Sequence, residues 1–385
     1  MFIFFKNLRQ GFGLQKEFLL LDAPQSLESA LGESFDFRAE GERDYLVSNR
    51  VGAALIYAPE IDWFLANSKS DEGARAKIVE ILYEARAIAY DRAVMDHKIT
   101  YDEEACQYCG KIGDSCGLCV LACPQKAIVK DETTHRLKYA DDLCLACGKC
   151  VGACPTGALE LGAMGADTFC AIARLYEGLI PLLIDEKALE TLACPLPAGV
   201  APLITPNGGF LNETSLLTLL QESGSQIVAA NVESLDERAL ALINGVCEAT
   251  YDAKAVLAID KIDEARPIAK SRYSPSLDNA SARARFAARL RAAVGDRDLG
   301  VVPSERFGAI AVDESACTLC ASCAAGCVTG AIAADETEGI LRATDALCTM
   351  CGECESVCPE KAISLNAEGL RLNAARFQPR IVAKD

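Results

Sequence analysis

The sequence predicts a multidomain chain of mixed α+β and α/β type. Two small β-α-β modules flank a parallel α/β domain, and a further α/β domain precedes them. Three observations predict this. The 20 cysteines of this 385-residue chain gather into two paired runs instead of scattering. Between the pairs, residues 166–265 alternate strand and helix patterns, which implies parallel strands joined by right-handed crossovers. Ahead of them, residues 1–100 mix short apolar strand patterns with one long helical stripe. The predicted boundaries are 1–100 for an N-terminal docking domain, 101–165 for the first module and 166–265 for the central domain. Residues 266–308 form a basic helical linker, and 309–385 hold the second module with a C-terminal tail.

In the N-terminal domain, FLLLD, YLVSNR and GAALIYA read as short buried strands. From Ala74, ARAKIVEILYEARAIAY places Ile78, Ile81, Leu82, Ala85 and Ile88 on one helical face. No GxGxxG or Walker motif occurs in this domain, and its single Trp63 reads as core.

Composition narrows the function classes. Apolar residues make up 51% of the chain, too many for a disordered protein. No stretch approaches the ~20 continuous apolar residues that a membrane span needs. The opening MFIFF is too short for a signal h-region, so a cytoplasmic location is the expectation. A formal net charge of −17 argues against nucleic-acid binding.

The cysteine runs carry the chemistry. CLACGKCVGACPTGAL starts at Cys144, CTLCASCAAGCVTGAI at Cys317 and CTMCGECESVCPEKAI at Cys348. All three have the spacing C-x2-C-x2-C-x3-C, although Val328 stands where proline usually follows. Residues 106–123 hold an irregular fourth run, CQYCGKIGDSCGLCVLAC, whose end fits the spacing and whose beginning does not, because Gly113 sits three before Cys116. Three cysteines two residues apart wrap one [4Fe-4S] cluster, and the fourth, three residues on, reaches a second. Zinc prefers two separated pairs, so iron–sulfur is the better reading of four ligands in one run. With only His97 and His135 in the chain, neither in a C-x-x-C-H setting, the sequence argues against haem attachment, Rieske-type clusters and a histidine-rich zinc site.

On these motifs, residues 101–165 and 309–370 each resemble a bacterial two-cluster [4Fe-4S] ferredoxin module. The resemblance implies a pseudo-twofold β-α-β fold with crossed fourth ligands. Carried onto this chain, it implies one cluster on Cys144, Cys147, Cys150 and Cys123, and another on Cys317, Cys320, Cys323 and Cys358. A third falls on Cys348, Cys351, Cys354 and Cys327. The last falls on Cys116, Cys119, Cys154 and one cysteine from upstream. Cys109 needs a loop of about six residues to reach Cys116 and Cys106 one of about nine. The shorter loop favours Cys109 and leaves Cys106 open.

In the central domain, GVAPLIT, SQIVAANV and AKAVLAI read as strands. Asn212 or Thr214 caps a helix through SLLTLLQES, and Ser234 with Glu237 forms a capping box for the next. The order strand, Pro206–Gly209 turn, Leu-rich helix, strand resembles the flavodoxin-like delta subunit of methyl-viologen-reducing hydrogenases. That family places a [2Fe-2S] ligand just after the proline, where this chain has Asn207. Cys170, Cys194 and Cys247 are one thiol short of such a site and read as buried thiols. The glycine turn reads as plain turn chemistry in preference to a phosphate cradle.

Residues 266–297 reverse the acidic background, with arginines at 266, 272, 283, 285, 289, 291 and 297 and Lys270. SARARFAARLRAAVG reads either as a solvated helix bridging domains or as one lying on an acidic module or partner.

The function expected is electron transfer by four [4Fe-4S] clusters, as a subunit or partner of a larger oxidoreductase, without a substrate site of its own. The order of domains resembles 4Fe-4S proteins associated with molybdenum or tungsten formate dehydrogenases, which implies a redox protein partner of that kind. Two alternatives are an oxidoreductase using flavin or nucleotide at the central sheet, and an iron–sulfur maturation factor.

Overall fold

The structure, a computed structural model, describes residues 36–39, 44–48, 53–57, 99–109, 116–161, 165–185, 197, 199–205, 208–230, 235–268 and 280–384. Strands β1 (Asp36–Ala39), β2 (Asp44–Ser48) and β3 (Ala53–Tyr57) form an antiparallel meander, the last two overlapping YLVSNR and GAALIYA. FLLLD, Trp63, the helical stripe after Ala74, Cys194, Pro206, Asn207 and Ser234 lie outside the described residues.

The two cysteine-rich modules share one plan. In the first, β4 (Ile99–Tyr101) pairs antiparallel with β7 (Leu159–Leu161), and β5 (Ile128–Asp131) with β6 (Arg136–Tyr139) makes a hairpin. Two single-turn helices, α1 (Leu118–Ala122) and α2 (Lys149–Ala153), pack together between them.

The central domain is a four-stranded sheet, all parallel, built from β8 (Ile180–Asp185), β9 (Val200–Thr205), β10 (Ile227–Ala229) and β11 (Val256–Ala258). Its order is β11-β10-β8-β9. The three strands expected from the sequence are there, but β8, a central strand, was not among them. Its IPLLID is a continuous apolar run, and such a run carries no alternation to separate strand from buried helix. Helix α3 (Ala166–Leu175) precedes β8, and α4 (Glu213–Ser223) follows β9. Asn212 caps α4, its side-chain oxygen accepting the Ser215 N–H at 2.9 Å. Helix α5 (Glu237–Tyr251) is capped by Asp236, which accepts the N–H groups of Arg238 and Ala239, in place of the box expected from Ser234. A carboxylate there satisfies two free N–H groups and meets the positive end of the helix dipole.

The basic stretch forms α6 (Ala282–Val294), capped by the Ser281 hydroxyl. It is not a solvated face. Arg283 and Arg289 are each only 2% exposed. Arg289 donates to Glu222 at 2.8 Å, and Arg285 pairs with Asp167 at 2.7 Å. The acidic partners thus belong to α3 and α4 of the central domain, not to a cysteine-rich module. Phe286, Leu290 and Val294 complete the buried face. A pattern of charge alone does not disclose which arginines find buried carboxylates; that needs the partner helices in place.

In the second module, β12 (Asp298–Val302) pairs with β17 (Leu370–Asn373), and β13 (Ala309–Val312) with β16 (Ile363–Asn366). The hairpin β14 (Ile332–Asp335) and β15 (Ile340–Ala343) gains a third strand from β18 (Arg380–Lys384). Helices α7 (Ser322–Gly326) and α8 (Glu353–Val357) occupy the places of α1 and α2.

Close backbone approach joins the first module to the central domain. Helix α2 lies on the turn Gly208–Phe210, and a Cβ added at Gly152 would stand 2.2 Å from the Gly209 carbonyl oxygen. Backbone cannot swing aside as a side chain does. Gly152→Ala is therefore expected to lower stability by about 1–3 kcal/mol, as overpacking does. Chemical denaturation of the two proteins under identical anaerobic conditions measures this, and an unchanged midpoint would contradict the packing.

Candidate metal centre

Local backbone chemistry sets the cysteine loops. In each regular run the residue before the second cysteine and the residue after it have positive φ: Ala146 and Gly148, Leu319 and Ala321, Met350 and Gly352. This left-handed pair turns the chain tightly enough to aim successive thiols inward. Four further turns repeat after the last cysteine of each run. They end on Lys126, Gly157, Gly330 and Lys361, all with positive φ. Each is followed by a buried alanine, at 127, 158, 331 and 362.

Backbone N–H groups point at several sulfurs. Ala127 donates to Cys123 Sγ at 3.2 Å, Ala146 to Cys144 Sγ at 3.3 Å, Met350 to Cys348 Sγ at 3.4 Å and Ala362 to Cys358 Sγ at 3.3 Å. Donors aimed at sulfur stabilise thiolate and any negative charge shared with it.

The thiols fall into four groups. Cys317, Cys320, Cys323 and Cys358 line one apolar hollow with about 350 Å³ of empty space, including its mouth. Cys116, Cys119, Cys154 and Cys106 line a matching hollow of about 360 Å³ in the first module. Burial pushes the Cys150 thiol up to about 12, with Cys147, Cys144, Cys119 and Cys123 adding to the effect. Burial also pushes Cys348 up to about 11 and Cys354 to about 12, with Cys351 and Cys327 contributing at both. In both hollows three thiols of one run meet the last cysteine of the other run. Among the described residues no three His, Cys, Asp or Glu side chains converge as around a single ion. The thiols ring a hollow, and four sulfur donors around an apolar space fit a [4Fe-4S] cluster. Bound there, the cluster supplies reversible one-electron chemistry. Loading it must displace thiol protons that burial otherwise retains.

The groups abut across a seam between the modules. Gln107 Nε2 hydrogen-bonds the Thr349 hydroxyl. Cys116 and Cys351 both line one open cleft with about 1170 Å³ of empty space, including its mouth. Arg283 reaches the seam from α6: its Nε donates to the Pro155 carbonyl at 2.7 Å and its guanidinium lies 4.1 Å from the centre of the Phe307 ring. Burial lowers its pKa, while Glu213, Cys348 and Cys154 favour its charged form. In the sequence Arg283 is legible only as one residue of a basic helix.

Two further described thiols, Cys247 and Cys170, are set apart from these groups. Cys247 is buried in α5, where burial pushes it up to about 12, as for an inert core thiol. Cys170 on α3 accepts a hydrogen bond from Arg289 at 3.3 Å.

The thiol groups are of a kind that fits iron–sulfur clusters. Consistent with this, residues 114–158 and residues 316–363 each match the family model of a 4Fe-4S dicluster domain. The chain carries two 4Fe-4S dicluster ferredoxin domains, implying two clusters in each. No curated protein matches the chain. Among the described residues no helix is long and apolar enough to cross a membrane.

Proposed function

We propose that the protein carries single electrons between redox partners along a row of four [4Fe-4S] sites. The observation that carries this is the seam: the Cys116 and Cys351 groups share one cleft, so the two inner sites adjoin and the Cys144 and Cys317 groups lie at the ends. The chain's residues hold the sites, exclude water from their apolar walls and set their potentials. The partner is a larger oxidoreductase; the resemblance in domain order supports one of the molybdenum or tungsten formate dehydrogenase type.

Charge gives the row a direction. Residues 101–165 hold nine acidic and six basic residues, whereas 309–370 hold ten and two. Reduction adds negative charge, so the second module is the harder to reduce, and electrons run from it toward the first. Two arginines beyond that segment, Arg376 and Arg380, both pair with Asp345, at 2.5 and 2.9 Å, which narrows the difference. Screening over ~8 Å in physiological salt narrows it further.

Arg283 acts on the inner pair. Its positive charge favours the reduced state of both, so Arg283→Met is expected to lower two of the four midpoint potentials and leave the outer two in place. A potentiometric titration followed by EPR reads this and tests the function. The chain should take up about four electrons, one per site, and pass them to a one-electron acceptor. Stoichiometric flavin absorbance would favour the enzyme reading instead, and rapid transfer of iron and sulfide to an apo-protein the maturation reading.

A further inference from the structure

We propose that Cys106, not Cys109, completes the irregular site with Cys116, Cys119 and Cys154, and that Cys109 is a second thiol parked beside it by Tyr101. The inference rests on the iron–sulfur reading above and assigns the one ligand which that reading leaves open. The match to the first dicluster domain begins at residue 114, so the fourth ligand lies upstream of the matched segment.

Position is the first argument. In the second module β13 pairs with β16 so that Val312 faces Ile363, and the next residue, Asp313, donates its N–H to the Ala362 carbonyl at 2.7 Å. The Asp313 carboxylate then accepts the Ser315 N–H, and Cys317 follows four residues after the aspartate. The first module repeats each step. Tyr101 faces Leu159, and Asp102 donates its N–H to the Ala158 carbonyl at 2.8 Å. The Asp102 carboxylate accepts the Glu104 N–H at 2.9 Å, and four residues after it comes Cys106. The two segments read DEEAC and DESAC. Cys106 therefore occupies the place of Cys317. Cys109 opens the inserted stretch that separates the run's beginning from Cys116.

The hollow is the second argument. Cys106 lines it together with Cys116, Cys119 and Cys154, and Cys109 does not. Cys109 lies beside Cys106 and away from the hollow, its thiol hydrogen-bonding the Tyr101 hydroxyl. Closing the longer loop from Cys106 adds only a small logarithmic entropic cost. A strand register that already delivers Cys106 to the hollow outweighs it.

The test uses the full chain, purified anaerobically, as wild type, Cys106→Ser and Cys109→Ser. Iron and sulfide are counted, and EPR is recorded on oxidised and reduced protein. Cys106→Ser is expected to alter one of the four cluster signals or to lose about one iron per chain, as three-iron clusters form. Cys109→Ser should retain the full iron count and all four reduced signals. Loss of a signal in Cys109→Ser, or an unaltered Cys106→Ser, overturns the assignment. Should Cys106→Ser not fold, anaerobic alkylation of wild type in mild denaturant decides, read by fragment mass spectrometry. Cys109 is then labelled before Cys106, and the opposite order overturns the proposal. Wild type lacking iron would instead sink the iron–sulfur reading itself, a distinct result.

Discussion

Protein purified without oxygen is expected to hold about sixteen iron and sixteen sulfide per chain, four cubes of four. The expectation follows from the pairing of runs, not from the cysteine count. Each run supplies three thiols to its own hollow and one to its neighbour's, so a site cannot be emptied without loosening the helix that carries the crossed ligand. Cys119, buried on α1 and pushed up to about 12 by burial and by its neighbours Cys154, Cys116 and Cys106, shows the same coupling. Removal of iron with a chelator is accordingly expected to unfold both modules, because small metal domains draw folding free energy from metal binding. Far-UV circular dichroism before and after chelation measures it. Stoichiometric zinc, or a metal content near two or four, would contradict the four-cluster assignment.

The second large effect is expected at Arg306. This side chain is 6% exposed and bonds at once to Glu213 at 2.9 Å, Asp236 at 3.2 Å and the Gly152 carbonyl at 3.5 Å. Glu213 opens α4, Asp236 caps α5 and Gly152 lies on α2. One guanidinium therefore ties the segment leading into β13 to both helix starts of the central domain and to the first module. Arg306→Leu leaves Glu213, 5% exposed, with only Arg283 at 3.8 Å. Breaking a buried pair from one side costs about 3–5 kcal/mol, because the remaining charge stays desolvated. Hydrogen exchange at the starts of α4 and α5 should accelerate accordingly. Adding Glu213→Gln should restore part of the loss, since a neutral side chain leaves no orphaned charge. A single variant as stable as the wild type would show that the network carries no weight.

Much of the site was legible in the sequence for a local reason. The spacing C-x2-C-x2-C-x3-C acts within a few positions, and the left-handed residues that the structure shows around the second cysteine are equally local. Their geometry is set by φ and ψ, which neighbours dictate. The same holds for the cap at Asn212 and for strands β9, β10 and β11. The repeat of DEEAC in DESAC, which aligns Cys106 with Cys317, is a further local signal.

Other features depended on contacts distant along the chain. The sequence reading compared loop lengths between Cys106 and Cys109, but the choice turns on a strand pairing that joins Asp102 to Ala158. Basic helix α6 could be placed by composition, yet whether its arginines face water or carboxylates was set by α3 and α4 packing against it. Strand β8 became recognisable only between β10 and β9, since an apolar run looks alike in any buried element. The seam joining Gln107 to Thr349 spans 242 residues and has no sequence signature. Short-range chemistry specifies how a thiol loop turns. Which thiols, charges and strands meet is settled by long-range pairing, whose energy comes from burial shared between segments that no local pattern relates.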